Sequence, residues 1–165
     1  MSPNKEEIVK KLKKLPLLES LNNNYEVLNK ITEIIYIKNI KPGEAIIRED
    51  EEGETFYILY AGKVEITKKT RHNDSFTVDI LNADNNSCFG ELALIDDELR
   101  SATVVAINEV TLLAIDKSDF IKMGNNNTKI GLEVTRVLSK IMAQRMRKST
   151  QDMITVFDAL INEVS

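Results

Sequence analysis

Phe89-Gly90-Glu91-Leu92-Ala93-Leu94-Ile95-Asp96-Asp97-Glu98-Leu99-Arg100-Ser101-Ala102-Thr103 is the most informative stretch of this chain. Ile80-Leu81 closes a β-rich run, Asn82–Ser87 reads as a loop, a short helix is expected to open at Gly90, and a further strand is expected from Arg100. A helix that starts inside a β-protein leaves several backbone N–H groups unpaired and pointing one way. With the helix dipole they form an anion site. Gly90 lets the backbone come close to a ligand. Arg100 supplies a rigid fork of donors that matches two phosphate oxygens. Glu91 accepts hydrogen bonds and suits a sugar hydroxyl, while small Ala93 and Ala102 leave space. Together these groups suit one anionic ligand that also carries a hydroxyl.

Around this stretch, residues 31–116 read as strands. Lys41-Pro42-Gly43 and Ala61-Gly62-Lys63 mark turns, with the β-rich run Phe56–Tyr60 between them. Val64 and Ile66, then Phe76, Val78 and Ile80, then Val110, Leu112 and Ala114 alternate with other residues, which predicts strands with one buried face. Short strands and frequent turns point to a mainly β fold with added helices, a jelly-roll β-roll or double-stranded β-helix.

Helical periods flank the roll. Over residues 1–30, Ile8, Leu12 and Leu15 are spaced as on a helix beside Lys10, Lys11, Lys13 and Lys14, which read as its solvated face. Pro16 ends or bends that helix, and Asn22–Asn24 are natural caps for a second one. Over residues 117–165, a short helix from Ser118-Asp119 is expected to close at Gly124, with Asn125–Asn127 as a linker or cap. A first stripe follows: Ile130, Val134, Val137, Leu138, Ile141 and Met142. A second comes after Ser149-Thr150: Met153, Val156, Phe157, Leu160, Ile161 and Val164. These stripes serve as a lid or a dimer seam, or simply pack on the roll. The chain of 165 residues is expected to be one domain.

Composition narrows the function classes. A net charge of −4 gives no global argument for nucleic acid. Cys88 is the one cysteine, so no internal disulfide forms and a reducing compartment is favoured. His72 is the one histidine and sits in a polar turn, so zinc sites, Ser-His-Asp devices and metal-dependent jelly-roll enzymes are disfavoured. Cys88 reads as a small hydrophobe, or as a redox-sensitive thiol beside the ligand. No apolar run is long enough for a membrane span, and Met1–Lys14 is no signal peptide.

The segment FGELAL, then IDDEL, then RSATV resembles the phosphate-binding cassette of the cyclic nucleotide-binding domain family. Lys41–Ile47, Gly53–Gly62 and Leu15-Pro16-Leu17-Leu18 resemble other parts of that family, which includes bacterial cAMP-receptor transcription factors, kinase regulatory subunits and gated channels. One departure is Asp50, where the family usually has Gly; a changed turn is expected there, without loss of the site. The resemblance implies that Arg100 pairs with the cyclic phosphate, helped by the amides near Leu92 and Ala93 and by the Ser101 region. It implies that Glu91 accepts from the ribose 2′-OH, that Gly90 keeps the backbone close, and that Ala102 touches sugar or base. A C-terminal helix is implied to cover the base, with Arg145 and Met146 as lid candidates. Taken alone, Arg100 also reads as a surface partner of Asp96, Asp97 or Glu98, Glu91 as a first-turn acid, Ser101 as a plain strand residue, and Arg145 and Met146 as helix surface and packing.

The expectation is a cytoplasmic sensor, not an enzyme, with no cofactor. Its ligand is cAMP or, second, cGMP. Ligand binding would shift the C-terminal helices and act through a protein partner; a homodimer through those helices is open, and no direct nucleic-acid or membrane contact is expected. About 15 residues follow Thr150, too few for a helix-turn-helix domain, so the chain is expected to act in trans or as part of something longer. The alternative is a relative of the same fold that binds no nucleotide and serves as a protein-interaction module.

Overall fold

The computed structural model describes residues 3–15, 18, 21, 24–72 and 74–164. The expected bend at Pro16 and the caps Asn22 and Asn23, with Leu17 and Asn73, lie outside these. Helix α1 (Lys5–Lys14) opens on a capping box, in which Asn4 Oδ1 accepts from Glu7 N and Glu7 Oε2 accepts from Asn4 N. Helix α2 (Tyr25–Glu33) is capped by Asn24.

Eight antiparallel strands follow: β1 (Tyr36–Ile40), β2 (Ala45–Ile47), β3 (Thr55–Ala61), β4 (Lys63–Lys69), β5 (Ser75–Asn82), β6 (Cys88–Phe89), β7 (Thr103–Ala106) and β8 (Val110–Asp116). They form two four-stranded sheets, ordered β1-β8-β3-β6 and β2-β7-β4-β5. This is the expected jelly roll flanked by helices. Helices α3 (Lys117–Asn126) and α4 (Thr128–Val164) complete the chain.

β3 and β8 explain where the core sits. They pair centrally, from Thr55 opposite Asp116 to Ala61 opposite Thr111. Tyr57, Leu59, Leu112 and Ala114 face a core shared by the two sheets with Val64, Val104 and Ala106. Phe56, Ile58, Leu113 and Ile115 face a second core with Leu12, Leu28, Val134 and Leu138. β8 is therefore buried on both faces, not on one as its alternation suggests, because helices cover the face a lone roll would leave wet. Leu94 enters the second core from the cassette, so the site and the helices share one packed unit.

Further expectations are corrected. Phe76, Val78 and Ile80 of β5 are 49%, 50% and 55% exposed; β5 is an edge strand with β4 as its partner, and a register shift at Ile66/Thr67 breaks its alternation. The strand expected from Arg100 begins at Thr103. Arg100 N donates to Glu51 O and Asp50 N donates to Arg100 O, both at 2.9 Å, so this backbone bonds to the 50–51 turn. Asp50 itself has φ +67°, the left-handed geometry in which glycine is most at home. It adopts a glycine's conformation, which aspartate tolerates better than most residues.

In the tail, α3 runs on through Gly124 to Asn126. A Cβ on Gly131 would lie 2.8 Å from Gly124 Cα, so Gly124 serves the close crossing of α3 and α4 and does not end a helix. The two C-terminal stripes lie on one helix of 37 residues. Ser149-Thr150 does not interrupt it, and Thr150 Oγ1 bonds back to Met146 O within the turn. Ile130, Val134, Val137 and Leu138 are buried. From Gln144 to Asn162 every residue is exposed, so the second stripe, as far as Ile161, does not pack on the roll.

Candidate functional site

The cassette is built on a single 3₁₀ turn, Glu91–Leu94, in place of the expected helix. Gly90 precedes it at φ +75°. Ala93 N donates to Gly90 O at 3.3 Å, and Ile95 and Asp96 N both donate to Leu92 O, so of the two amides named at the sequence level that of Ala93 has an internal partner. Ala93 is buried and Leu92 half-buried.

Arg100 points inward and is 9% exposed. Nη2 donates to Thr55 O at 2.7 Å and Nη1 to Gly90 O at 3.3 Å. Its place is open because residue 53 is glycine: a Cβ there would lie 2.3 Å from Arg100 Nε. Desolvation pulls the guanidinium below its usual pKa, against the opposing fields of Tyr57, Glu91 and Asp96. Asp97, one of its alternative partners, pairs instead with Lys117 at 2.7 Å.

Glu91 is 1% exposed. Its Oε1 accepts from Arg145 Nη1 of α4. Among the described residues two buried side-chain atoms have no hydrogen-bond partner, Glu91 Oε2 and Arg100 Nε. Native interiors rarely leave such groups unmatched, and both belong to this one cassette. The arrangement presents an acceptor from the turn and a charged donor from beyond the 95–99 loop, a pair that can take a hydroxyl and an anion of one ligand.

Ser101 is exposed and Ala102 half-buried. Of the lid candidates, Arg145 reaches the site and Met146, 67% exposed, lies in solvent. Burial pushes the Cys88 thiol up to about 12, with the charge of Glu91 adding to the shift and that of Arg145 opposing it. A thiol held in its protonated form is a poor redox sensor. His72 is exposed, and among the described residues no group of three or more His, Cys, Asp or Glu is placed to hold a metal. Among the described residues no helix is long and apolar enough to cross a membrane.

Sequence reading missed Gly53, the Thr55 carbonyl and Lys117. Gly53 stands in the acidic turn Glu51–Glu54, where a glycine looks like turn chemistry; the Thr55 contact is main-chain and carries no side-chain signature.

The profile of the cyclic nucleotide-binding domain matches residues 37–127. The chain belongs to the cyclic nucleotide-binding domain family. It is 39% identical over 110 residues to human cGMP-dependent protein kinase 2, covering 66% of this chain and 14% of the kinase. It is 36% identical over 109 residues to the cAMP-dependent protein kinase regulatory subunit of Yarrowia lipolytica, covering 66% of this chain and 27% of that subunit. The chain thus spans under a third of these relatives. A cyclic nucleotide-binding domain from Methylobacillus flagellatus superposes with a TM-score of 0.77 at 21% identity, over 91% of this chain and 82% of that one.

Proposed function

We propose that this chain is a cyclic-nucleotide sensor that works by binding and is not an enzyme. The single observation behind this reading is the pair of unmatched buried atoms, Glu91 Oε2 and Arg100 Nε. A cyclic nucleotide supplies what each lacks: a ribose hydroxyl for the carboxylate and a phosphate oxygen for the guanidinium. Gly90, Leu92, Ala93, Ser101 and Ala102 line the same cassette, and Arg145 is the lid residue on α4. cAMP is the first choice and cGMP the second; the relatives' names carry both nucleotides, and the Ser101 hydroxyl suits either.

Ligand binding biases the C-terminal helices, because α4 holds the other oxygen of the same Glu91 carboxylate. The exposed stripe beyond Gln144 then meets a protein partner or a second copy of the chain, in the cytoplasm. Such a switch requires different affinities for two arrangements of the tail.

Calorimetric titration of nucleotide-free protein with cAMP and, in parallel, cGMP tests the reading. Micromolar or tighter binding of one supports the sensor and selects the ligand. Absence of binding by both leaves a protein-interaction module of the same fold.

A further inference from the structure

A second side chain joins the cassette to the helical tail. Lys117 is the first residue of α3. Its Nζ donates to Asp96 O at 2.6 Å and pairs with Asp97 Oδ1 at 2.7 Å. Its backbone N–H donates to Glu54 O at 2.8 Å.

A cation in the first turn of a helix faces the positive end of the dipole, so α3 itself disfavours lysine at this place. The acceptors of the 95–99 loop offset that cost. The two contacts are unequal. The Lys117 side chain is 13% exposed and that of Asp97 94% exposed, so solvent weakens the charge pair. The bond to the Asp96 carbonyl, in half-buried surroundings, is the stronger constraint.

The acceptor is well placed for control. Asp96 N bonds to Leu92 O at 3.0 Å, so Lys117 holds the residue that closes the Glu91–Leu94 turn. Glu54, held by its N–H, precedes Thr55, whose carbonyl takes Arg100 Nη2. One residue thereby grips both walls of the site, the turn that carries Glu91 and the segment that anchors Arg100.

We infer that Lys117 is a positioning residue, which fixes the ligand-binding turn against the start of α3 and so transmits occupancy of the site to that helix. Its side chain acts through Asp96 and does not touch ligand. The inference rests on the nucleotide-binding reading above.

The test uses the full chain as wild type, Lys117→Met, Lys117→Arg and Asp97→Asn. Each is titrated with cAMP and cGMP and followed by hydrogen exchange with and without the nucleotide that binds. Lys117→Met is expected to bind about tenfold more weakly, the scale of one charge-assisted hydrogen bond. Its cassette should still be protected by ligand, while added protection of residues 117–126 disappears. Lys117→Arg should restore both, and Asp97→Asn should change affinity by about twofold or less. Should Lys117→Met fail to fold, Lys117→Gln is read in its place. Unchanged affinity together with full ligand-induced protection of α3 would overturn the role. Wild-type protein that binds neither nucleotide overturns the sensor reading instead, and this role with it.

Discussion

Glu91 and Arg145, 54 positions apart, form an ion pair that spans from the cassette turn to α4. The carboxylate is buried and the guanidinium side chain 53% exposed. One oxygen of Glu91 is taken by the helix and the other is unpartnered, so on the proposed reading the same side chain would serve the tail and the ligand.

Removing the helix's share should cost stability. Arg145→Met leaves a buried carboxylate without a partner, and half-exposure of the arginine puts the loss at the low end, about 1 kcal/mol. A thermal melt of nucleotide-free protein is expected to show a lower Tm, and an unchanged Tm would mean that the pair is too solvated to matter.

Arg100→Ala should abolish most nucleotide affinity, by about a hundredfold or more, because it deletes a charge-assisted fork. Glu91→Ala should lose about tenfold or more through its hydroxyl acceptor. Far-UV circular dichroism should show both variants folded; unchanged binding by Arg100→Ala would remove the site assignment.

Gly53→Ala tests whether the arginine's place is set from behind. The new Cβ would lie 2.3 Å from Arg100 Nε, so the side chain must shift and leave its bond to Thr55 O. Affinity is expected to fall by about tenfold, the value of one such bond, with little change in Tm. Calorimetry on this variant decides it.

Gly131→Ala meets backbone, not a movable side chain: its Cβ would lie 2.8 Å from Gly124 Cα and 3.1 Å from Gly124 O. α3 and α4 must separate, at a cost of about 1–3 kcal/mol. Chemical denaturation should show a lower midpoint, and a wild-type midpoint would show that the crossing is slack.

Cys88 gives a pH signature. Its thiol pKa rises from 9.0 to about 12 on folding. Above 9.0 the unfolded chain loses this proton while the folded chain keeps it, so ν_U − ν_N is negative and stability falls with pH. The contribution is fully present below about 9 and is lost as pH rises toward about 12. Cys88→Ala should flatten the alkaline limb of a stability–pH profile, and native Cys88 should resist alkylation at pH values where the unfolded chain reacts.

The cassette was legible because its residues stand at fixed spacing within one segment, and the roll because alternation and turns recur along 31–116. Neither signal reports neighbours. Alternation at Phe76–Ile80 says that β5 has two unlike faces, but not that the strand lies at an edge. Gly124 reads as a helix stop because its partner, Gly131, becomes visible only once two helices cross. The same limit hid Gly53 and Lys117, whose roles are contacts with another residue's side chain or carbonyl. Arg145 and Met146 look alike in the sequence, side by side late in a helix; about 100° of rotation per residue separates the one that reaches Glu91 from the one that does not.

The unbroken length of α4 has a mechanical consequence. From Gly131 to Val164 the helix is a rod of about 50 Å, at 1.5 Å per residue. A tilt of about 10° at the glycine crossing would carry its far end through about 9 Å and Arg145, about 21 Å along the rod, through about 4 Å. On the proposed sensor reading the rod would act as a gear: a displacement of Arg145 beside Glu91 would become, at the tip, a step more than twice as wide.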